Sequence, residues 1–413
     1  MSASIPAPSP APDPFLELSR SSDPAPLVRA LRENDPVHFV EPLGFWFVTR
    51  HDDVKRLFND QENVTQDRMA WERFVPAPEG TMLRAIQERT VVGKTPESHA
   101  RFRKLFSSAL TPRAVRRMDD QIREVVERFA APLRGRPGEV LDLMGELTNP
   151  VPNAVISRVT GVPPGEDEVR FRELAQDLIR GFFPLAPREA MARSEAALQE
   201  MAVWVREMAA ERRGAPREDL ISDLIRVQER GGDLADEEIV LLISILLGAG
   251  SETTNLGGLV LIRTLLQHRE ALERVRSDRS LVPKAVMEIL RFAFGGPAGV
   301  PRYAARDFTL RGQRIRKGQM LMLSFGGANR DPAVFPDPDV LDLDRDTREV
   351  LVFGNGPHYC LGVNLARQEM GCMLEAALEI APPGSRVRDD LIQYQDAGLF
   401  RRPVNLPVEI ATG

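Results

Sequence analysis

The stretch Phe353-Gly354-Asn355-Gly356-Pro357-His358-Tyr359-Cys360-Leu361-Gly362 decides how the rest of the chain is read. It sets a cysteine in a glycine-bracketed loop just ahead of a predicted helix. A lone thiolate in such a loop suits a metal that is held mainly by something other than protein side chains. Zinc takes four clustered protein ligands, and here only His358 stands near. Covalent haem attachment needs a Cys-x-x-Cys-His run, and the chain has none. The best candidate is a non-covalent haem, because an axial thiolate pushes electron density onto the iron and favours O–O cleavage. Backbone N–H groups aimed at the sulfur would protect and tune it. Gly356 can take a left-handed conformation, and Gly362 lets the following helix approach a flat macrocycle. Phe353 offers apolar cover for the sulfur, and His358 offers a hydrogen bond to a haem carboxylate. The bland reading is a structural cysteine in a turn.

At its fixed positions, Phe-Gly-x-Gly-x-His-x-Cys-x-Gly, this stretch resembles the haem-binding signature of the cytochromes P-450, the haem-thiolate monooxygenases. The resemblance spans roughly Asp35 to the C-terminus. It implies a mainly α fold with small β-sheets, a long central helix over a haem b, and the cysteine loop beneath, with Cys360 as the iron ligand.

Composition is compatible with this. The chain has 413 residues, two cysteines and a net charge of −6. Two cysteines make a disulfide framework implausible, which fits a cytoplasmic protein. Mild negative charge argues against nucleic acid as a partner. Residues 1–14, rich in Ala, Pro and Ser, read as a disordered leader without signal-peptide features. No apolar run is expected to reach membrane-span length, so residues 15–413 are expected to form a single soluble, monomeric catalytic domain.

Periodicity predicts helices at Pro26–Asn34, Asp52–Phe58, His99–Leu110, Ala235–His268 and Leu361–Glu379, and one opening at Thr111-Pro112. Further helical patterns run to Arg230. His38–Glu41 and Phe45–Thr49 read as a hairpin. Short strands follow at Phe308–Leu310, Gln313–Ile315 and Met320–Leu323. Glu62–Thr95 reads as a long loop with a broken helix, of the kind that is usually functional or disordered.

Three further groups of residues carry chemistry. Glu252 and Thr253 lie in the middle of the long helix, beside Gly248 and Gly250. An acid next to an alcohol suits proton delivery to dioxygen, and the glycines suggest a helix opened beside the haem. The alternative is hydroxyls bonding back to the helix backbone. His99 and Arg103 share one helix face; with Arg302 and His358 they match the family's haem-propionate positions, where charge-assisted hydrogen bonds are needed. The run before His99 is Thr95-Pro96-Glu97-Ser98, where the family often has Asp-Pro-Pro-Glu. Glu288 and Arg291, spaced i, i+3, match the family's buried pair that braces the cysteine loop.

By resemblance, the regions of Trp71, Phe74, Phe182 and Phe183 roof a pocket, with Ile245, Ala249, Ala298, Val300, Leu399 and Phe400 as linings; plain core packing is the other reading. The expected partners are dioxygen, an apolar substrate (a terpenoid, steroid, fatty acid or macrocycle) and a separate ferredoxin-type electron donor. Basic residues near Arg103, Lys104, Arg113, Arg116 and Arg117 could guide that donor. A peroxide-driven peroxygenase and a non-catalytic haem-binding protein are the rival functions.

Overall fold

The apolar pattern at Ala235–His268 is realised as one uninterrupted helix, Asp236–Gln267, in this computed structural model. The structure describes residues 13–21, 23–89, 96–107, 110–232, 234–294, 299–397 and 400–412. Three acidic residues occupy the first turn of the long helix, and Glu238 accepts a hydrogen bond from the Ala235 N–H at 3.0 Å. Negative charge there complements the helix dipole. The helix packs against Pro150–Thr160, Glu166–Phe182, Arg188–Gly214, Val282–Ala293 and Val363–Ile380. A helix covered on most sides can be apolar around most of its circumference. It is long and apolar enough to cross a membrane, which corrects the expectation that no run reaches that length, but 61% of its most apolar window is buried inside the protein.

The long helix runs through two cores. Its first half contributes Ile239, Val240, Ile243 and Leu247 to a cluster with helices Glu166–Phe182, Arg188–Gly214 and Leu220–Glu229. Its second half contributes Leu259, Leu261, Ile262 and Leu265 to a cluster with Asp119–Ala130, Val282–Ala293 and Val363–Ile380. The segment from Gly248 to Asn255 lies at the seam.

The hairpin Val37–Val40 and Phe45–Val48 forms as expected, turning at Gly44 with φ of 68°. Phe45–Val48 pairs in parallel with Met320–Ser324, which pairs antiparallel with Gly299–Ala304, which in turn pairs with Val64–Thr65. In the two central strands Trp46, Val48, Leu321 and Leu323 enter one apolar cluster, while Phe45, Phe47, Met320 and Met322 enter another. That alternation is the period-two pleat buried on both faces. A three-stranded sheet joins Val140–Asp142, Pro407–Glu409 and Arg386–Val387, and Tyr394–Ala397 pairs with Phe400–Pro403.

Several expectations are corrected. Asp13 caps a helix, Pro14–Arg20, by accepting from the Phe15 N–H at 2.8 Å, so residues 13 and 14 are ordered; residues 1–12 lie outside the described residues. The stretch expected as a long loop with a broken helix contains, besides the 3-10 turn Arg68–Ala70 and the helix Met82–Arg89, an unexpected strand Val64–Thr65. Glu195 holds the start of that helix, its carboxylate accepting from the N–H groups of Met82 and Leu83. A partner 112 residues away in sequence is invisible to local pattern reading.

Candidate active site

The cysteine loop is built from backbone hydrogen bonds. The Gly354 N–H donates to the Leu351 carbonyl at 2.7 Å, Tyr359 to Gly356 at 3.0 Å, and Cys360 to Phe353 at 2.9 Å. Gly354 and Gly356 have φ of 74° and 71°, a region that side chains resist. A Cβ on Gly356 would also stand 2.5 Å from Asn59 Oδ1. Asn59, in turn, donates to Asn355 at 2.8 Å, a support that lies outside the motif itself. Gly362 differs: its φ is −86° and nothing lies within 4 Å of an added Cβ. Space beside Gly362 fits a flat group. Burial pushes the Cys360 thiol up, opposed by the Gly362 N–H and the Arg103 cation, both of which favour the thiolate. The second cysteine, Cys372, is buried in the core, its thiol pushed up by burial to about 11.

On the long helix, Ala249 and Thr253 are exposed, and Ile245 half-exposed, although Leu247, Gly248, Ser251 and Glu252 are buried. Positions i, i+4 and i+8 share a face. This stripe stays open on a helix otherwise packed into two cores. The helix is not opened there. Gly248 and Gly250 serve packing instead: an added Cβ would meet Ile179 at 3.0 Å and Ile156 at 3.2 Å, so the glycines let two neighbouring helices come close. Thr253 Oγ1 donates to the Ala249 carbonyl at 2.7 Å, and Ser251 bonds back to Leu247. Glu252 is ion-paired with Arg402 on the strand Phe400–Pro403, a partner the sequence did not reveal.

The expected basic cluster assembles from three separate regions. The His99 ring lies against His358 with centroids 3.8 Å apart and planes tilted by 32°. Arg103 donates to the Tyr359 carbonyl at 2.7 Å, reaching across to the cysteine loop. Arg302 is buried, donates to the Pro301 carbonyl and lies over the Phe58 ring. Burial and the neighbouring His99, Arg302 and Arg103 push His358 down to about 3; burial holds Arg302 down at about 10, and burial with Arg103 lowers His99. Basic groups that suppress one another's charge make a place for anions, and the carboxylates of a haem fit it.

Glu288 and Arg291 are both fully buried and joined by two hydrogen bonds of 2.7 and 2.8 Å. Arg291 also donates to the carbonyls of Asn329, Pro338 and Val340, and Glu288 accepts from Arg345 and the Asp342 N–H. The pair clamps the segment that leads into the cysteine loop, because the Asn329 side chain accepts from the Leu351 N–H.

Of the expected pocket residues, Ile245 and Val300 are half-buried, and Val300 lies on the strand Gly299–Ala304. Ala298, Leu399 and the side chain of Phe400 lie outside the described residues. Trp71 is corrected to core: it is 3% exposed and packed with Phe15, Phe45 and Tyr303. Phe182 lies beneath the guanidinium of Arg68, a residue not singled out from sequence. His38, His51 and His268 bond to Asp13 and Asp35, to the Glu349 carbonyl and to the Thr264 carbonyl, away from the cluster.

The cytochrome P450 family profile matches residues 37–380. The chain is 36% identical over 372 residues to the nocardicin C N-oxygenase of Nocardia uniformis subsp. tsuyamanensis, covering 88% of this chain and 89% of that one. It is 33% identical to the mycinamicin IV hydroxylase/epoxidase of Micromonospora griseorubida, covering 92% and 93%. The crystal structure of epothilone D-bound cytochrome P450epoK superposes with a TM-score of 0.86 at 29% identity, covering 98% of both chains.

Proposed function

The chain belongs to the cytochrome P450 family, and from that premise we propose that Cys360 is its iron ligand and that its substrate is a largely apolar organic molecule. The family's enzymes are haem-thiolate monooxygenases. Haem, when bound, supplies the activation of dioxygen and the transfer of one oxygen atom to the substrate.

The observation that carries the proposal is the meeting of three features. Cys360 sits in a buried loop that pushes its thiol up, with the Gly362 N–H and nearby Arg103 acting the other way. His99, Arg103, Arg302 and His358 form a basic cluster next to that loop. Ala249 and Thr253 open an otherwise buried helix onto free space. The cluster would hold the haem carboxylates, and Gly362 would leave room for the ring.

Thr253 holds its hydroxyl on the Ala249 carbonyl, which leaves the oxygen lone pairs facing the open stripe. Glu252 lies one residue before it and is held by Arg402. An acid and a hydroxyl in this order supply protons to the site while the buried neighbours exclude bulk water. This intact pair favours reductive dioxygen use over direct use of peroxide.

Electrons would come from a separate ferredoxin-type protein. The helix Pro112–Arg117 packs on the cysteine-loop helix Val363–Ile380. Arg116, Arg279 and Arg367 border a cleft of about 370 Å³ there, where Arg123 is paired with Asp119 and Glu375. A basic surface on the cysteine side suits an acidic donor. The relatives named for nocardicin C, mycinamicin IV and epothilones suggest a natural-product substrate.

The test is the Soret band of the reduced protein under carbon monoxide, for wild type and Cys360→Ala. A strongly red-shifted thiolate band in the wild type, lost in the variant, is expected. A band typical of histidine ligation in the wild type would remove Cys360 as the ligand.

A further inference from the structure

Arg68 opens the one-turn 3-10 helix Arg68–Ala70, just after the edge strand Val64–Thr65. That strand pairs with Gly299–Ala304, the strand that carries Val300 and Arg302. The start of the turn is fixed by Asp67. Its carboxylate accepts from the Met69 N–H at 3.0 Å, and its own N–H donates to Thr65 Oγ1 at 3.1 Å. The acid next to Arg68 in sequence is therefore turned to the backbone.

The guanidinium of Arg68 reaches across to the end of the helix Glu166–Phe182. It donates to the Phe182 carbonyl and lies 3.8 Å from the centroid of the Phe182 ring. Among the described residues it makes no other hydrogen bond, and no carboxylate lies within ion-pairing distance. A guanidinium has five N–H donors, so most of its capacity is unused. Its nitrogens still border open space, since none is among the buried side-chain atoms without a partner. Protein surrounds it closely enough that burial lowers its pKa, and nearby Tyr303 is pushed up to about 12 by the same burial.

Two buried guanidiniums of this protein have acids, Arg212 with Asp219 and Arg291 with Glu288, while two others, Arg32 and Arg302, donate to the Gly327 and Pro301 carbonyls. A desolvated cation without an anion is costly. Arg68 keeps that cost at the junction of the two segments expected to roof the pocket.

We infer that Arg68 recognises a carboxylate on the substrate, anchoring one end of an otherwise apolar molecule beneath the roof. The fork of N–H groups left free by Phe182 matches the two oxygens of a carboxylate. The apolar remainder of the substrate then lies toward Ile245, Ala249 and Val300. Arg68 is thus a specificity-determining residue, and the substrate class narrows to amphiphilic organic acids. The inference rests on the monooxygenase reading above for the purpose of the pocket, not for the binding measurement.

The test is isothermal titration calorimetry of the holoenzyme with matched acid and methyl-ester pairs: dodecanoate, a bile acid, an aryl-alkanoic acid and an N-acyl amino acid. At least one acid is expected to bind wild type about tenfold or more tightly than its ester, the worth of a charge-assisted hydrogen bond. Arg68→Leu and Arg68→Gln are expected to erase that preference while leaving ester affinity within about threefold; Arg68→Lys keeps part of it. The inference is overturned if no acid is preferred over its ester, if the preference survives in Arg68→Leu or Arg68→Gln, or if acid and ester weaken alike, which would make Arg68 only a latch on Phe182. Should Arg68→Leu not fold, Arg68→Gln and Arg68→Lys decide. The carbon monoxide band, recorded on the same preparations, separates a failure of the haem reading from a failure of this one.

Discussion

Glu252, in the middle of the long helix, is ion-paired with Arg402, 150 residues later on a strand of the C-terminal hairpin. The pair ties the acid beside Thr253 to the hairpin Tyr394–Ala397/Phe400–Pro403. Both side chains are largely removed from solvent, at 11% and 18% exposure. Loss of one partner therefore strands a charge, whereas loss of both does not.

Arg402→Leu is expected to destabilise the protein by on the order of 3 kcal/mol, and the double variant Glu252→Gln/Arg402→Leu to regain most of that. Urea unfolding of the four proteins in the cycle measures it. Additive effects would show that the two residues do not interact. Glu252→Gln alone is expected to slow product formation without altering the haem spectrum.

Glu288 and Arg291 behave differently because neither is exposed and both carry several further hydrogen bonds. Arg291→Ala leaves a buried carboxylate and uncaps three carbonyls. The expected cost is roughly 3–5 kcal/mol, seen as loss of soluble, haem-loaded protein. Arg291→Lys is expected to recover little, since a single ammonium cannot reproduce the two-pronged contact. A well-folded, fully loaded Arg291→Ala protein would contradict the clamp.

The glycines of the cysteine loop separate folding from cofactor binding. Gly356→Ala meets both a left-handed backbone, costing about 1–2 kcal/mol, and contact with Asn59. It should lower the melting temperature of apoprotein and holoprotein alike. Gly362→Leu meets nothing in the polypeptide. Its apoprotein is expected to melt like wild type and to retain haem poorly. Equal destabilisation of both apoproteins would mean the space beside Gly362 is not the place of the ring.

What the sequence made legible follows interaction range. The cysteine loop, the long helix and the two central strands are encoded by local spacing: glycine placement, a helical run and period-two alternation. The basic cluster was legible only through resemblance, because His99, Arg302 and His358 come from distant segments. Arg402, Arg68 and Glu195 escaped for the same reason. Each acts on a partner more than 100 residues away, and nothing near them in sequence signals it. The glycines of the long helix were seen but misassigned. Their role depends on Ile156 and Ile179 in neighbouring helices, not on the helix's own backbone.

Glu369 gives a pH dependence that none of the haem-facing groups controls. It lies on the helix Val363–Ile380, is 2% exposed, and its Oε2 has no hydrogen-bond partner. Burial pushes its carboxyl well above the ordinary value of 4.5, so the folded protein holds it neutral. The unfolded chain releases the proton near that ordinary value. Between the two pKa values the folded state therefore binds the extra proton, and stability falls as pH rises. The contribution is complete below about pH 4.5 and is lost progressively as pH climbs toward the raised folded value. Glu369→Gln keeps the shape and removes the proton. It is expected to flatten this part of the stability profile above about pH 4.5 and to leave the protein more stable than wild type at the alkaline end. Urea midpoints of the two proteins across that range decide the matter. Parallel profiles would show that Glu369 is ionised in the fold and paired with something that stabilises its charge.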